Sequence, residues 1–263
     1  VLESDTGIGH IRAANGELKR RVLEHTAQLR AAHDELPAFS YSVSRGLRAA
    51  LRHGLGFAQL LQKESGPSLS EQSLGHLTTI ARSAKRMGQL MDGLLAFSRI
   101  GLLERRKTEV NLDPLAQETL GVLLQETQGR IIHWDIQPLP ELQADGTRLR
   151  LALFHLTSNA VNFTNARAEA RIEIGCVSNG GGETVIFIRD HGVGFDPKYA
   201  GQLFGVFQRL NNAREFEGTG LGWAKVHRII QRHGGRTWAQ GEVGKGAAFY
   251  LSIPKQKDDL DGP

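Results

Sequence analysis

Two glycine turns with a phenylalanine-rich segment between them constrain this chain more than any other feature. The first is DHGVGF, Asp190–Phe195; the second is GTGLG, Gly218–Gly222; LFGVFQRL, Leu203–Leu210, lies between them. Glycines at 192, 194, 218, 220 and 222 let the backbone reach φ > 0 and let amides approach a ligand closely. The second turn runs into an apolar, helix-patterned segment. Its amides then lie at a helix N-terminus, where anions are favoured. A carboxylate beside one glycine turn and an anion site at the other suggest a nucleotide held at both ends. Either turn alone is equally an ordinary turn; the ordered set is the specific signal.

The chain before these turns is helical in pattern. Residues 1–16 have no clear periodicity and read as a linker. From Leu18 an apolar series follows through Val22, His25, Leu29, Ala32, Leu36, Phe39 and Val43. Its alternating four-three spacing is a coiled-coil seam, which needs a partner helix and predicts a parallel dimer. Pro37 interrupts the pattern and predicts a kink. The helix resumes through Leu51 and Leu61, weakened by Gly54 and Gly56. SGPS (Ser65–Ser68) is a turn, and Ser68 with Glu71 forms a capping-box signature for a second helix. That helix carries Leu74, Leu77, Ala81, Ala84, Met91, Leu94 and Leu95 and ends near Gly101. Two such antiparallel helices paired across a dimer make a four-helix bundle. The domain assignment is therefore a helical dimerisation domain over 17–104.

After the charged connector LLERRKTE (Leu102–Glu109) the pattern alternates, and a second domain is assigned to 109–255 with a tail at 256–263. Helices are expected from about Pro114, at Gly146–Phe163 and at Leu221–His233. Strands are expected at Ile131–Ile136, near Leu142, and at Ala170–Val177, Thr184–Arg189, Thr237–Gln240 and Ala247–Ile253. NGGG (Asn179–Gly182) reads as a hairpin loop. The fold class is α+β, with helices on one face of a mixed sheet.

Charge and cysteine usage narrow the function. Between Ile11 and Lys107 there are 16 Lys/Arg against 8 Asp/Glu, so this half is basic within a chain of net charge +4. The charges are scattered without aromatic interleaving, which favours a solvated face over nucleic-acid binding. No run of about 18 apolar residues occurs, so no membrane-spanning segment is expected, and no secretory signal is visible. The single Cys176 excludes an internal disulfide and fits a reducing cytosol. Its strand-like setting predicts a buried thiol.

As an ordered set, these motifs resemble the transmitters of sensor histidine kinases, especially the phytochrome type. DHGVGF looks like the family's first glycine box, LFGVFQRL its phenylalanine box, GTGLGWA its second glycine box and GKGAAF (Gly244–Phe249) its third. The resemblance covers roughly Leu18–Pro254 and implies an α/β sandwich that binds ATP with Mg²⁺. It implies nucleotide contacts at Asn159, Asn162, Asp190, Gly192, Gly194, Phe195, Phe204, Phe207, Arg209, Gly218, Thr219, Gly220, Leu221 and Gly222. FHLTSNAVNFT (Phe154–Thr164) resembles the asparagine box. Asn159 matches the position that holds Mg²⁺, for which an amide oxygen is a suitable hard ligand. His155, one helical turn earlier, fills a polar position of the catalytic machinery where the family tolerates several residue types. Asp190 would accept a hydrogen bond from the adenine amino group. The partners implied are a second copy of the chain, a response-regulator receiver domain and an upstream sensor domain outside this sequence.

Three departures bear on activity. The family commonly has lysine where Asn162 stands, and a small or aliphatic residue where Trp223 stands, so Trp223 is expected to crowd the phosphate-facing helix. The third is in FSYSVSRGLRAAL (Phe39–Leu51), which resembles the phosphoacceptor box, where histidine and then an acidic residue are expected. This chain has Arg45 and Gly46, and Ala50 replaces the usual proline. Phosphoryl acceptance needs an imidazole lone pair and a neighbouring carboxylate. A guanidinium offers no acceptor lone pair. His25 occupies the seam, His53 lies about 12 Å further along the helix, and His76 begins the second helix. Ala49 offers no polar group to orient water for dephosphorylation. Two readings follow: a transmitter that dimerises and binds Mg·ATP without phosphorylating itself at the usual place, or a working phosphotransferase acting on a partner's histidine or an unconventional one.

Overall fold

The computed structural model describes residues 15–22, 24–25, 46–102, 107–179, 182–208 and 219–255. The chain divides into two compact units, Val1–Leu102 and Leu103–Pro263.

The first unit is helical in its described residues apart from Leu69 and Ser70. Residues 15–22 and 24–25 are helical; most of the expected seam, with Pro37, lies outside the described residues. Helix α1 covers residues 46–65, and α2 is Glu71–Leu102. Between them Gly66–Ser68 forms one 3-10 turn with Pro67 in its first positions, where a missing N–H costs nothing. The cap of α2 is Ser70, whose Oγ accepts from the Ser73 amide at 3.2 Å. The expected Ser68 cap is thus displaced by two residues, because Ser68 closes the 3-10 turn and Leu69 is extended. Arg48 on α1 pairs with Asp92 near the other end of α2, which fixes the helices as antiparallel.

The second unit is a sheet backed by a helical layer. Strand β1 (Thr108–Asn111) pairs antiparallel with β3 (Glu141–Ala144), with Thr108 opposite Ala144. The main sheet comprises β2 (Ile131–Ile136), β4 (Glu169–Asn179), β5 (Glu183–Asp190), β6 (Thr237–Glu242) and β7 (Gly246–Pro254), in the order β2-β4-β5-β7-β6. Only the β2–β4 pairing is parallel. Helices α3 (Leu112–Glu126), α4 (Gly146–Phe163) and α5 (Gly222–Arg232) form the second layer. α4 lies on β4 and β5, α5 on β6 and β7, and α4 touches both other helices. Leu149, Leu153 and Leu156 of α4 and Ile229 and Ile230 of α5 meet Ile172, Ile174, Ile186 and Ile188 in a closed apolar core. The mixed sheet with helices on one face is the architecture expected from the sequence.

Local chemistry sets the helix starts. Asn111 caps α3 by accepting from the Asp113 amide, so the helix begins at Leu112, two residues before the expected start at Pro114. Asp145 caps α4 by accepting from the Arg148 amide. Such caps are worth about 1 kcal/mol each. β1 falls partly inside what reads in sequence as a charged connector, and a 3-10 segment at Pro197–Gln202 was also not expected. Register pairs Asn179 with Glu183 across the NGGG segment, as a hairpin requires. Cys176 on β4 is half-buried rather than buried, and burial raises its thiol pKa.

Candidate nucleotide site

The end of β5, the last turns of α4 and the start of α5 converge on one place. Asp190 is the last residue of β5 and is 1% exposed. Its Oδ1 accepts from the Gly192 amide at 2.9 Å. Its Oδ2 is buried and has no hydrogen-bond partner. Burial raises the carboxyl pKa to about 6, against the pull of the Gly192 and Ala247 amides and of His191. An acceptor oxygen in such a state is costly unless a donor arrives.

The glycine turn after Asp190 is clamped on both sides. The Val193 amide donates to the Phe163 carbonyl at the end of α4 (3.1 Å), and the Val193 carbonyl accepts from the Gly244 amide (2.8 Å). Arg167 donates to the Gly192 and Gly244 carbonyls, at 3.0 and 2.6 Å. Gly192 has no room for a side chain: a Cβ there would lie 2.3 Å from the Phe163 carbonyl oxygen. At Gly194, φ is +61°, and a Cβ would lie 1.9 Å from the Glu242 carbonyl oxygen. These positions require glycine for packing, whatever the ligand.

On α4, His155 and Asn159 are four residues apart and share a face. A Cβ built at Gly222, the first residue of α5, would lie 3.7 Å from His155 Nδ1 and 3.8 Å from Asn159 Nδ2. Both side chains therefore sit against the start of α5. His155 Nε2 and Asn159 Nδ2 are buried without hydrogen-bond partners. Burial, and then the charge of Lys225, lower the His155 pKa to about 4, so the imidazole is neutral at pH 7. No side chain caps α5, so its first-turn amides face this space unclaimed by a side chain. Unpartnered side-chain nitrogens and uncapped helix amides here, and an acceptor without a donor at Asp190, fit a ligand with an anionic end and a donor-bearing ring. They fit an adenine nucleotide. An Asn159 side chain turned so that its amide oxygen faces the same space is the ligand type Mg²⁺ takes.

The remaining expected residues divide. Arg45, Arg209 and Gly218 lie outside the described residues. Thr219 and Gly220 are half-buried at the approach to α5, Gly220 with φ of +70°, and Asn162 is half-buried on the last turn of α4. Phe207 is exposed with φ of +62°, and its backbone abuts Gly220. Phe195 and Leu221 are core residues; Phe195 lies 6.2 Å from the Phe249 ring, and Leu221 is fully buried. Both side chains pack into the core behind the two turns. Phe204 packs edge-on against Trp223 at 5.8 Å. Trp223 corrects its expectation: it is buried against Phe249 and Phe163 and turns into the core, so it does not crowd the phosphate side. Lys225 and Arg167 have no motif signature, and the sequence reading did not find them. Only the position of Lys225, three residues after Gly222 on one helical face, could have pointed to it.

Comparison with known proteins converges on the same regions. Residues 38–103 match the family model described as His Kinase A (phospho-acceptor) domain. Residues 144–257 match the model described as Histidine kinase-, DNA gyrase B-, and HSP90-like ATPase. Cyanobacterial phytochrome A of Nostoc sp. is 32% identical over 253 residues, covering 93% of this chain and 32% of the relative. The methanogenesis regulatory histidine kinase FilI of Methanothrix harundinacea is 31% identical over 242 residues, covering 92% of this chain and 26% of the relative. The crystal structure of full-length ShkA in complex with AMPPNP matches with a TM-score of 0.60 at 26% identity, covering 85% of this chain and 47% of that one. The chain thus spans about a quarter to a third of the length of these curated relatives. Among the described residues, no helix is long and apolar enough to cross a membrane.

Proposed function

Given that this chain belongs to the sensor histidine kinase transmitters, a helical phosphoacceptor-type domain followed by an ATP-binding domain, we propose that it binds Mg·ATP, dimerises, and does not phosphorylate itself at residue 45. The observation that carries the nucleotide reading is the buried, partnerless Oδ2 of Asp190, together with the partnerless side-chain nitrogens of His155 and Asn159. Asp190 would accept from the adenine amino group and so select the base. The uncapped start of α5 and the turn before it would hold the phosphates. Asn159 would hold Mg²⁺, which supplies charge neutralisation of the phosphates when bound. The fold shared with ShkA, whose structure was solved in complex with AMPPNP, supports a nucleotide ligand for this unit. Titration with ATP and GTP tests this: preference for ATP, lost in Asp190→Asn, is the expected result.

The lost phosphoacceptor rests on sequence. Arg45 and Gly46 stand where the reaction needs an imidazole and a carboxylate. The histidines of the first unit that are described, His25, His53 and His76, are all exposed, and none is paired with the acid the reaction requires in the family pattern. The dimer reading is supported by apolar side chains that the unit leaves in water: Leu47, Phe57, Leu61, Ile80 and Met87. In the full protein this module would sit in the cytoplasm behind a sensor domain and dock a response-regulator receiver domain. The second reading, a working phosphotransferase using a partner's histidine, is favoured by one fact: the nucleotide site keeps its polar groups while the acceptor box does not.

A further inference from the structure

We infer that Lys225 is a phosphate-contacting residue of this site, supplying the cation that Asn162 does not. The inference rests on the nucleotide reading above. Lys225 lies in the first turn of α5, three residues after Gly222, and residues three apart share a helical face. A helical side chain covers the turn N-terminal to its own Cα. For Lys225 that turn is the one containing Gly222, where the absent side chain leaves a gap bordered by His155 and Asn159. The ammonium is close enough for its charge to act on the His155 ring.

Among the described residues nothing answers that charge: the Lys225 side chain is half-buried and makes no hydrogen bond or ion pair with any of them. The polar side-chain atoms around it, His155 Nε2 and Asn159 Nδ2, are likewise without partners. A half-buried cation beside unpartnered polar nitrogens, at an uncapped helix start, is complete only when an anion sits there. Asn162, one turn beyond Asn159 on α4, carries no charge. A lysine stem that merely buries its methylenes, with its head in water, would give the same partial burial. The two roles differ in what a ligand feels.

The experiment is isothermal titration of the whole chain with ATP, ADP and adenosine, each with Mg²⁺, for the unmodified protein, Lys225→Met and Lys225→Arg. Lys225→Met should weaken ATP and ADP on the order of tenfold or more, the range for a hydrogen bond to a charged group. Adenosine should bind within about twofold of the unmodified protein, and Lys225→Arg should recover part of the loss. Adenosine binding also reports that each variant is folded; if Lys225→Met is not, Lys225→Gln takes its place. Unchanged ATP affinity in Lys225→Met, with adenosine and ATP both binding the unmodified chain, would overturn this inference alone. An unmodified chain that binds neither would overturn the nucleotide reading and this inference with it.

Discussion

The Gly192 amide donates to Oδ1 of Asp190 at 2.9 Å, while Oδ2 of the same carboxylate is buried with no partner. One oxygen is fixed by the fold and the other is held for something else. This division has measurable consequences for stability and for binding, and they run in opposite directions.

Asp190→Asn should stabilise the ligand-free second unit at pH 7–8 by on the order of 1–3 kcal/mol while weakening ATP binding by about 1.5–3 kcal/mol. The folded pKa is about 6, against 3.8 for the solvent-exposed carboxyl of the unfolded chain. The folded state therefore binds protons more tightly, and stability is fully present below about pH 3.8 and lost as pH rises through about 6. Asparagine has no charge to desolvate. Denaturant unfolding with and without ATP measures both effects.

His155 titrates in the opposite sense. Its folded pKa of about 4 lies below the ordinary 6.5, so its contribution is present above pH 6.5 and lost as pH falls through about 4. In the unmodified chain the two groups oppose each other between about pH 4 and 6. In Asp190→Asn the opposing carboxylate is gone and His155, with His227 lowered by burial in the same sense, makes stability climb with pH across that window. A series of urea midpoints from pH 4 to 7 checks the sign.

His233 joins the two helices that frame the site. Its Nε2 accepts from the Asp145 amide at 3.0 Å, and its Nδ1 donates to the Ile229 carbonyl at 2.8 Å. The ring is buried, so His233→Ala strands an amide beside the α4 cap and should cost about 1–3 kcal/mol. His233→Gln, which can reach one partner, should cost less. Thermal unfolding of the second unit measures this.

Phe57→Glu together with Ile80→Glu should convert a dimer to a monomer without reducing helix content. Both residues are exposed on the helical unit, at 72% and 55%, so the substitutions break no described packing. Light scattering at micromolar concentration, with circular dichroism, separates dissociation from unfolding.

Where local pattern decided the structure, the sequence was readable. The bounds of α4, Gly146–Phe163, follow from its apolar face and the Asp145 cap, and the strands of the main sheet follow from alternation. β1 was not readable, because TEVN carries one buried residue, Val110, and becomes a strand only by pairing with β3 some thirty residues away. The cap of α2 was misplaced because Ser68 and Ser70 both have suitable neighbours, and only backbone geometry chooses between them. In the site, the glycine turns and Asp190 were visible through motif order. The inward turn of Trp223 and the place of Lys225 were not, since both depend on which way α5 rolls against the sheet.

A chain that keeps a nucleotide site but has lost its phosphoacceptor should bind ATP without labelling itself. Incubation with γ-labelled ATP, comparing the unmodified chain, Arg45→His, and Arg45→His with Gly46→Asp, tests it most directly. Attraction of phosphate by Arg45 is not attack, because the guanidinium has no free lone pair at neutral pH. The predicted result is no acid-labile phosphate on the unmodified chain, little on Arg45→His, and more on the double variant, with non-additive gain because the two groups act as a unit. Acid-labile phosphate on the unmodified chain, mapped to His53 or any other histidine, would contradict the claim and identify a working kinase.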